Sequence, residues 1–253
     1  MTVNLIRKTI TALKQGDFLE KVWLVLMDKT GDLKNKFKNK FFKFNGDWYH
    51  GKTAKEYELT RIKQDWWHEE NRILREFLKS LPKKISVLDI PFGTGRFLSL
   101  YNENKMDVTG LDISRDMILE AKRLRGDLLK KCKIDMGDAR NLPYPDNSFD
   151  IIVCFRFFGG HVTFQDAKKV ISEFSRVSRK YVILELSAVS EEDSGFNLQN
   201  LPEDQPIDKS NLSEKERIEL FKGFGLRVLV KKTAYSNEKP FVTIYLCEKL
   251  DSQ

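Results

Sequence analysis

The chain is 253 residues long, 41% hydrophobic and 32% charged, a composition that can bury a core and excludes global disorder. No apolar run approaches the roughly 18 residues of a membrane span; the densest, residues 22–27, is six long. The net charge of +7 is confined to residues 1–86, with 19 Lys+Arg against 11 Asp+Glu, whereas residues 87–253 hold 25 against 26, so the sum does not describe a uniformly basic surface.

In chain order, the N-terminus lacks the basic, apolar and small-residue pattern of a cleaved signal. Its first segment predicts a helix with Leu5, Ile6, Ile10 and Leu13 on one face. A lysine-rich run follows, residues 34–43, in which Lys34, Lys36, Lys38, Lys40 and Lys43 alternate with phenylalanines. That run fits an anionic partner, through phosphate contacts and base stacking, and equally an amphipathic hairpin with solvated lysines. Asn45-Gly46 between aromatic runs is a hairpin signal, because both turn positions favour positive φ. Residues 1–53 therefore read as a basic helical and hairpin extension, and residues 54–253 as the main domain. The latter opens on one long helix over 54–81, on which Tyr57 and Arg61 share a face at i and i+4. Trp66 and Trp67 on the same helix read as core or interface aromatics.

From residue 85 onward, short β-rich runs (85–90, 107–112, 133–136, 150–154 and 181–186) alternate with helical spacing over 115–129 and 165–178. This alternation predicts βαβ units and a mainly parallel sheet. Runs 226–233 and 241–248 flank a polar turn and predict a closing antiparallel pair. Residues 187–212 carry six acidic side chains and three breakers, which fits either a substrate-covering loop or a plain insertion. The three cysteines, Cys132, Cys154 and Cys247, form neither a metal pattern nor a disulfide framework, so a cytoplasmic protein without a metal is expected.

The segment with the most chemical content is Val87-Leu-Asp-Ile-Pro-Phe-Gly-Thr-Gly-Arg-Phe-Leu98, a strand ending in Asp89, a loop with two glycines, and an immediate helix. Gly93 and Gly95 allow backbone to approach a ligand that a Cβ would block. Such loops lie at the carboxyl ends of strands, where open α/β sheets bind nucleotides. A dinucleotide fingerprint needs a third glycine where Leu98 stands, and Asp89 would repel a pyrophosphate. A phosphate loop fails for lack of Gly-Lys-Ser/Thr.

Over residues 85–247 the chain resembles the class I S-adenosylmethionine-dependent methyltransferases. The resemblance rests on Asp89 to Gly95, with Pro91 in place of the family's first glycine. It rests also on Val108-Thr-Gly-Leu-Asp-Ile-Ser114, on Gly137-Asp-Ala-Arg-Asn-Leu-Pro-Tyr-Pro-Asp-Asn-Ser-Phe-Asp, and on Glu173-Phe-Ser-Arg-Val-Ser178. It implies a Rossmann-like α/β fold, a mostly parallel seven-stranded sheet with helices on both faces and an antiparallel C-terminal strand, and S-adenosyl-L-methionine as cofactor. It further implies that Asp112 holds the ribose hydroxyls and Ile113 packs on adenine. Asp138 and the Ala139 N–H would address the base. Asp89, Phe92, Gly93 and Gly95 would line the methionine portion, and the Phe155 carbonyl would face its ammonium. A lid helix would bring Tyr57 and Arg61 to the site, with Arg61 forking onto the methionine carboxylate or simply solvated.

His161, in the loop after the fourth strand, is the candidate general base, or a loop histidine bonded to backbone. Arg156 either orients the substrate or supports that loop. The signatures of amino-methylating and cytosine-methylating nucleic-acid enzymes are missing, so the expected acceptor is an O or N atom of a small molecule or glycan-type metabolite. The alternatives are a polyanionic acceptor (RNA, phosphorylated glycan or glycolipid) recruited by the basic extension, and a cofactor-binding scaffold without catalysis.

Overall fold

The computed structural model describes residues 49–158, 162–187, 212–236 and 239–250. The chain divides into two units, 1–48 and 49–253, a few residues before the boundary read at 53. The helix and hairpin of the extension, the run 34–43, His161 and nearly all of the 187–212 segment lie outside the described residues.

Within 49–253 the elements are α1 (Gly51–Arg61), α2 (Asp65–Lys79), β1 (Ser86–Asp89), α3 (Leu98–Glu103), β2 (Asp107–Asp112), α4 (Arg115–Arg125) and β3 (Cys132–Met136). They continue with β4 (Phe149–Cys154), α5 (Phe164–Val177), β5 (Ser178–Ser187), α6 (Glu214–Gly223), β6 (Leu226–Ser236) and β7 (Lys239–Lys249). The sheet order is β3-β2-β1-β4-β5-β7-β6. The first five strands pair in parallel, and β7 runs antiparallel to both β5 and β6.

Strand residues alternate between two core layers, as a twofold side-chain period requires when both faces are covered. Leu88, Ile152, Leu184 and Tyr245 pack under α5 and α6. Val87, Ile151, Val153, Ile183 and Ile244 pack under α2 and α3. The starts of α4, α5 and α6 are set by side-chain caps. The Ser114 hydroxyl accepts the Met117 N–H and the Thr163 hydroxyl that of Asp166, while Ser213 and Glu216 form a reciprocal capping box.

The single helix expected over 54–81 is two, separated at residues 62–64. Tyr57 and Trp66 are nine residues apart, which on one continuous helix sets them about 180° apart. The break instead lets Ala54, Tyr57, Trp66, Trp67 and Met117 form one buried cluster. That burial outweighs the intrahelical hydrogen bonds lost.

At the carboxyl edge the chain leaves β1 for β2 and β3 on one side and returns to β4 on the other. The crevice between the two directions lies above β1 and β4. Phe92, in the loop after β1, lies against Gly110 of β2 so closely that a Cβ there would sit 2.3 Å from the ring. Gly110→Ala should therefore destabilise the protein by about 1–3 kcal/mol through overpacking, read from a denaturant unfolding midpoint. An unchanged midpoint would show that the loop repacks freely.

Candidate cofactor site

The loop from Ile90 to Phe97 is shaped by local requirements. Gly93 and Gly95 have φ of 57° and 68°, a left-handed region open to glycine. At Gly95 a Cβ would lie 2.9 Å from the Phe92 ring. Asp112, at the end of β2, accepts the Gly93 N–H at 2.6 Å and the Ser114 N–H at 2.8 Å. The Gly137 N–H donates to the Asp112 carbonyl at 3.1 Å, which brings the exit of β3 to the same place. Asp89, Phe92, Gly93, Gly95, Asp112, half-buried Ile113, Asp138 and Ala139 thus converge on the carboxyl edge around the β1–α3 loop. Phe155 follows directly on β4, two strands from β2.

Asp138 and its neighbours carry a feature the resemblance does not imply. Both Asp138 oxygens accept from Arg140, at 2.6–3.0 Å, and Arg140 also reaches Asp166 at 3.3 Å. Burial raises the Asp138 pKa, but the Arg140 hydrogen bonds outweigh it and the net shift is downward. The carboxylate is therefore held in place by a guanidinium before any base meets it.

Helix α1 closes against this loop through polar contacts. The Ser114 hydroxyl donates to the Tyr49 carbonyl at 2.7 Å, and the Gly51 N–H to Asp116 at 2.7 Å. Thr94 donates to Glu58 at 2.6 Å, Glu58 pairs with Arg125, and Arg125 Nε returns to the Thr94 carbonyl at 2.8 Å. Tyr57 is buried edge-on to Tyr49 and Trp67, with ring centroids 5.0 and 6.3 Å away. Arg61 lies 3.9 Å over the Tyr57 ring, its Nη1 donating to the Tyr57 carbonyl at 3.4 Å. Tyr57 and Arg61 thus lie together on α1.

Of the two roles expected for Arg156, its contacts bear on the loop-supporting one. Its guanidinium stacks 4.0 Å over Trp66 and lies 3.4 Å from Glu70 and 3.7 Å from Glu185. It is engaged by the protein's own carboxylates, which favours the loop-supporting role over a substrate-orienting one. Glu70 also holds Arg96 at 2.6 Å, and Arg96 stacks 3.6 Å over Trp67. These ionic partners went unseen in the sequence. A carboxylate at position 70, on the apolar stripe of Trp66, Trp67, Ile73, Leu74 and Phe77, was the available signal.

Whether S-adenosylmethionine suits these residues can be tested on the structure. Asp89 is fully buried, and its Oδ2 has no hydrogen-bond partner among the described residues. Burial holds its carboxyl well above the usual range. Tyr101 opposes the shift without reaching hydrogen-bond geometry, and the charge of Asp112 adds to it. A cationic methionine end relieves that crowding, whereas a pyrophosphate would worsen it. With the glycine cradle and a carboxylate at the end of β2, the residues fit this cofactor.

Comparison with known proteins agrees. Residues 87–181 match the methyltransferase domain family. A demethylmenaquinone methyltransferase of Thermotoga maritima is 37% identical over 121 residues, covering 46% of this chain and 48% of that protein. A ubiquinone/menaquinone biosynthesis C-methyltransferase UbiE of Rickettsia akari is 33% identical over 128 residues, covering 46% and 50%. The chain thus spans about half the length of the curated relatives it matches. In fold, it resembles the crystal structure of magnesium protoporphyrin IX methyltransferase from Synechocystis PCC 6803 with bound SAH. The TM-score is 0.59 at 15% identity, over 87% of this chain and 100% of that one.

Burial and the nearby Glu70 push the Glu185 carboxyl from its ordinary 4.5 up to about 8. A carboxyl raised in the folded state contributes stability that is full below the unfolded value and lost as pH rises through the folded one. Thermal midpoints should therefore decline between about pH 5 and about pH 9, and Glu185→Gln should remove part of the slope. An unaltered slope in that variant would contradict the assignment.

Proposed function

We propose that this chain, whose residues 87–181 form a methyltransferase domain on the class I S-adenosylmethionine-dependent fold, transfers a methyl group to a carbon atom of a small hydroxylated aromatic acceptor of quinol type. The observation that carries the cofactor half is the Asp112 carboxylate at the switch in strand order, bonded to the Gly93 N–H of the glycine loop. The acceptor half is supported by the relatives' printed names, one a demethylmenaquinone methyltransferase and one a C-methyltransferase of quinone biosynthesis. The proposed acceptor is thus a carbon atom, where the sequence alone pointed to an O or N atom. Among the described residues, nothing favours the polyanionic acceptor or the non-catalytic scaffold, and the run 34–43 lies outside them.

S-adenosylmethionine supplies an electrophilic methyl group on a sulfonium with a neutral leaving group. Asp112 would accept the ribose hydroxyls, and Ile113, Asp138 and the Ala139 N–H would form the adenine wall. Asp89, Phe92, Gly93 and Gly95 would flank the methionine portion, the Phe155 carbonyl would take its ammonium and Arg61 its carboxylate. The protein's chief work is alignment of the acceptor and exclusion of water. Phe155 and Phe158, both buried after β4, dry the approach. Ionising a ring hydroxyl makes the neighbouring carbon nucleophilic, and after transfer that carbon loses its proton to restore aromaticity. His161, in the same loop, is the candidate to accept a proton.

Calorimetry with S-adenosylmethionine tests the first half. Asp112→Ala should weaken binding at least about tenfold, or about 1.4 kcal/mol, and unchanged affinity would overturn the cofactor assignment. Labelled cofactor offered with a demethylated quinol, a phenol and an amine tests the second half. Label on a ring carbon is the expected product, and label only on oxygen or nitrogen would overturn the carbon acceptor.

A further inference from the structure

Glu70 has no exposed surface, and it sits on a helix face otherwise made of Trp66, Trp67, Ile73, Leu74 and Phe77. A buried carboxylate costs stability unless it is paired and hydrogen-bonded, and well-packed apolar replacements of buried ion pairs are often neutral or better. Packing alone would therefore be served by leucine at position 70. What a carboxylate does and leucine cannot is hold two guanidinium groups that arrive from different loops.

One is Arg96, the residue directly after Gly95. Its Nη1 lies 2.6 Å from Glu70 Oε2, its Nη2 donates to the Trp67 carbonyl, and its guanidinium lies between the Trp67 and Phe97 rings, 3.6 and 4.6 Å from their centroids. The other is Arg156, the second residue after β4. Its Nη1 is 3.4 Å from Glu70 Oε1, its guanidinium covers Trp66 at 4.0 Å, and Glu185 Oε1 lies 3.7 Å away on β5. The Arg156 backbone has φ of 61°, a left-handed conformation that a residue with a Cβ adopts only under constraint. The first loop is the cofactor cradle, and the second borders the acceptor approach.

We propose that Glu70 is a positioning residue for methyl transfer, setting the exit of the glycine loop through Arg96 and the loop after β4 through Arg156. This rests on the cofactor assignment above. It adds that a helix outside residues 87–181 governs the geometry of both half-sites. Glu70 touches neither cofactor nor acceptor and acts only through the two arginines.

The test uses the full chain and S-adenosylhomocysteine, with calorimetry and thermal unfolding as readouts. Glu70→Gln should weaken binding about tenfold or more and lower the unfolding midpoint, because Arg96 loses its carboxylate and Arg156 is left with Glu185 alone. Glu70→Asp, which keeps the charge, should recover part of the affinity. In the paired variant Glu70→Gln with Arg96→Met, one charge of each sign is removed and Arg156 keeps Glu185. A merely structural role predicts that midpoint and affinity recover together. The positioning role predicts a recovered midpoint with affinity still about tenfold weaker. This also decides the matter if Glu70→Gln alone does not fold. Paired-variant binding within about twofold of the parent would overturn the proposal. Failure of the parent chain to bind S-adenosylhomocysteine would instead overturn the cofactor assignment, and this proposal with it.

Discussion

The carboxylate of Asp112 joins three segments that the sheet alone would leave independent. It ends β2, takes the Gly93 N–H at 2.6 Å, and takes the Ser114 N–H at 2.8 Å, so the glycine loop, the strand and the start of α4 share one anchor. Hydrogen bonds to an ionised acceptor are about twice as strong as neutral ones, and Asp112 is buried, where water competes little. Ser114 extends the anchor by capping α4 and reaching the Tyr49 carbonyl. Because the strand order reverses beside β1, these groups lie at the carboxyl edge where open α/β sheets bind their ligands.

A second tier of ionic contacts completes what Asp112 begins. Glu58 on α1 holds Thr94 and Arg125, and Glu70 on α2 holds Arg96 and Arg156. Both carboxylates come from residues that precede the matched segment 87–181. The loop between Gly93 and Phe97 is thus gripped from below by α2 and from the side by α1 and α4. Such buried or half-buried pairs do little for net stability, since desolvation offsets much of the Coulomb gain. Their value is geometric, because each fixes a guanidinium whose direction apolar packing would leave undetermined.

How much of this was legible in the sequence follows from the physics of each element. The strands could be read because runs such as Val87-Leu-Asp-Ile90 and Asp150-Ile-Ile-Val-Cys154 are short, apolar and β-branched, and all seven lie where the runs place them. The place of Asp112 was legible because a carboxylate at a strand end beside a glycine loop is visible in the sequence itself. The break between α1 and α2 was not, because no proline or glycine marks residues 62–64 and only the burial of Tyr57 with Trp66 in one cluster demands it. Arg156 shows why residue type alone is insufficient. It follows β4 as the sequence places it, but Glu70 and Glu185 claim its guanidinium, and neither is near it in sequence. Asp138 likewise stands where its motif implies, and Arg140, two residues away, changes what its carboxylate meets first.

Every cofactor contact at the carboxyl edge depends on where the ribose sits. A crystal structure of the full chain with S-adenosylhomocysteine tests this directly. The ribose hydroxyls should lie within hydrogen-bonding distance of the Asp112 oxygens, with adenine against Ile113 and the homocysteine portion over Gly93 and Gly95. A ligand bound elsewhere, or bound with Asp112 turned away from the ribose, would contradict the account.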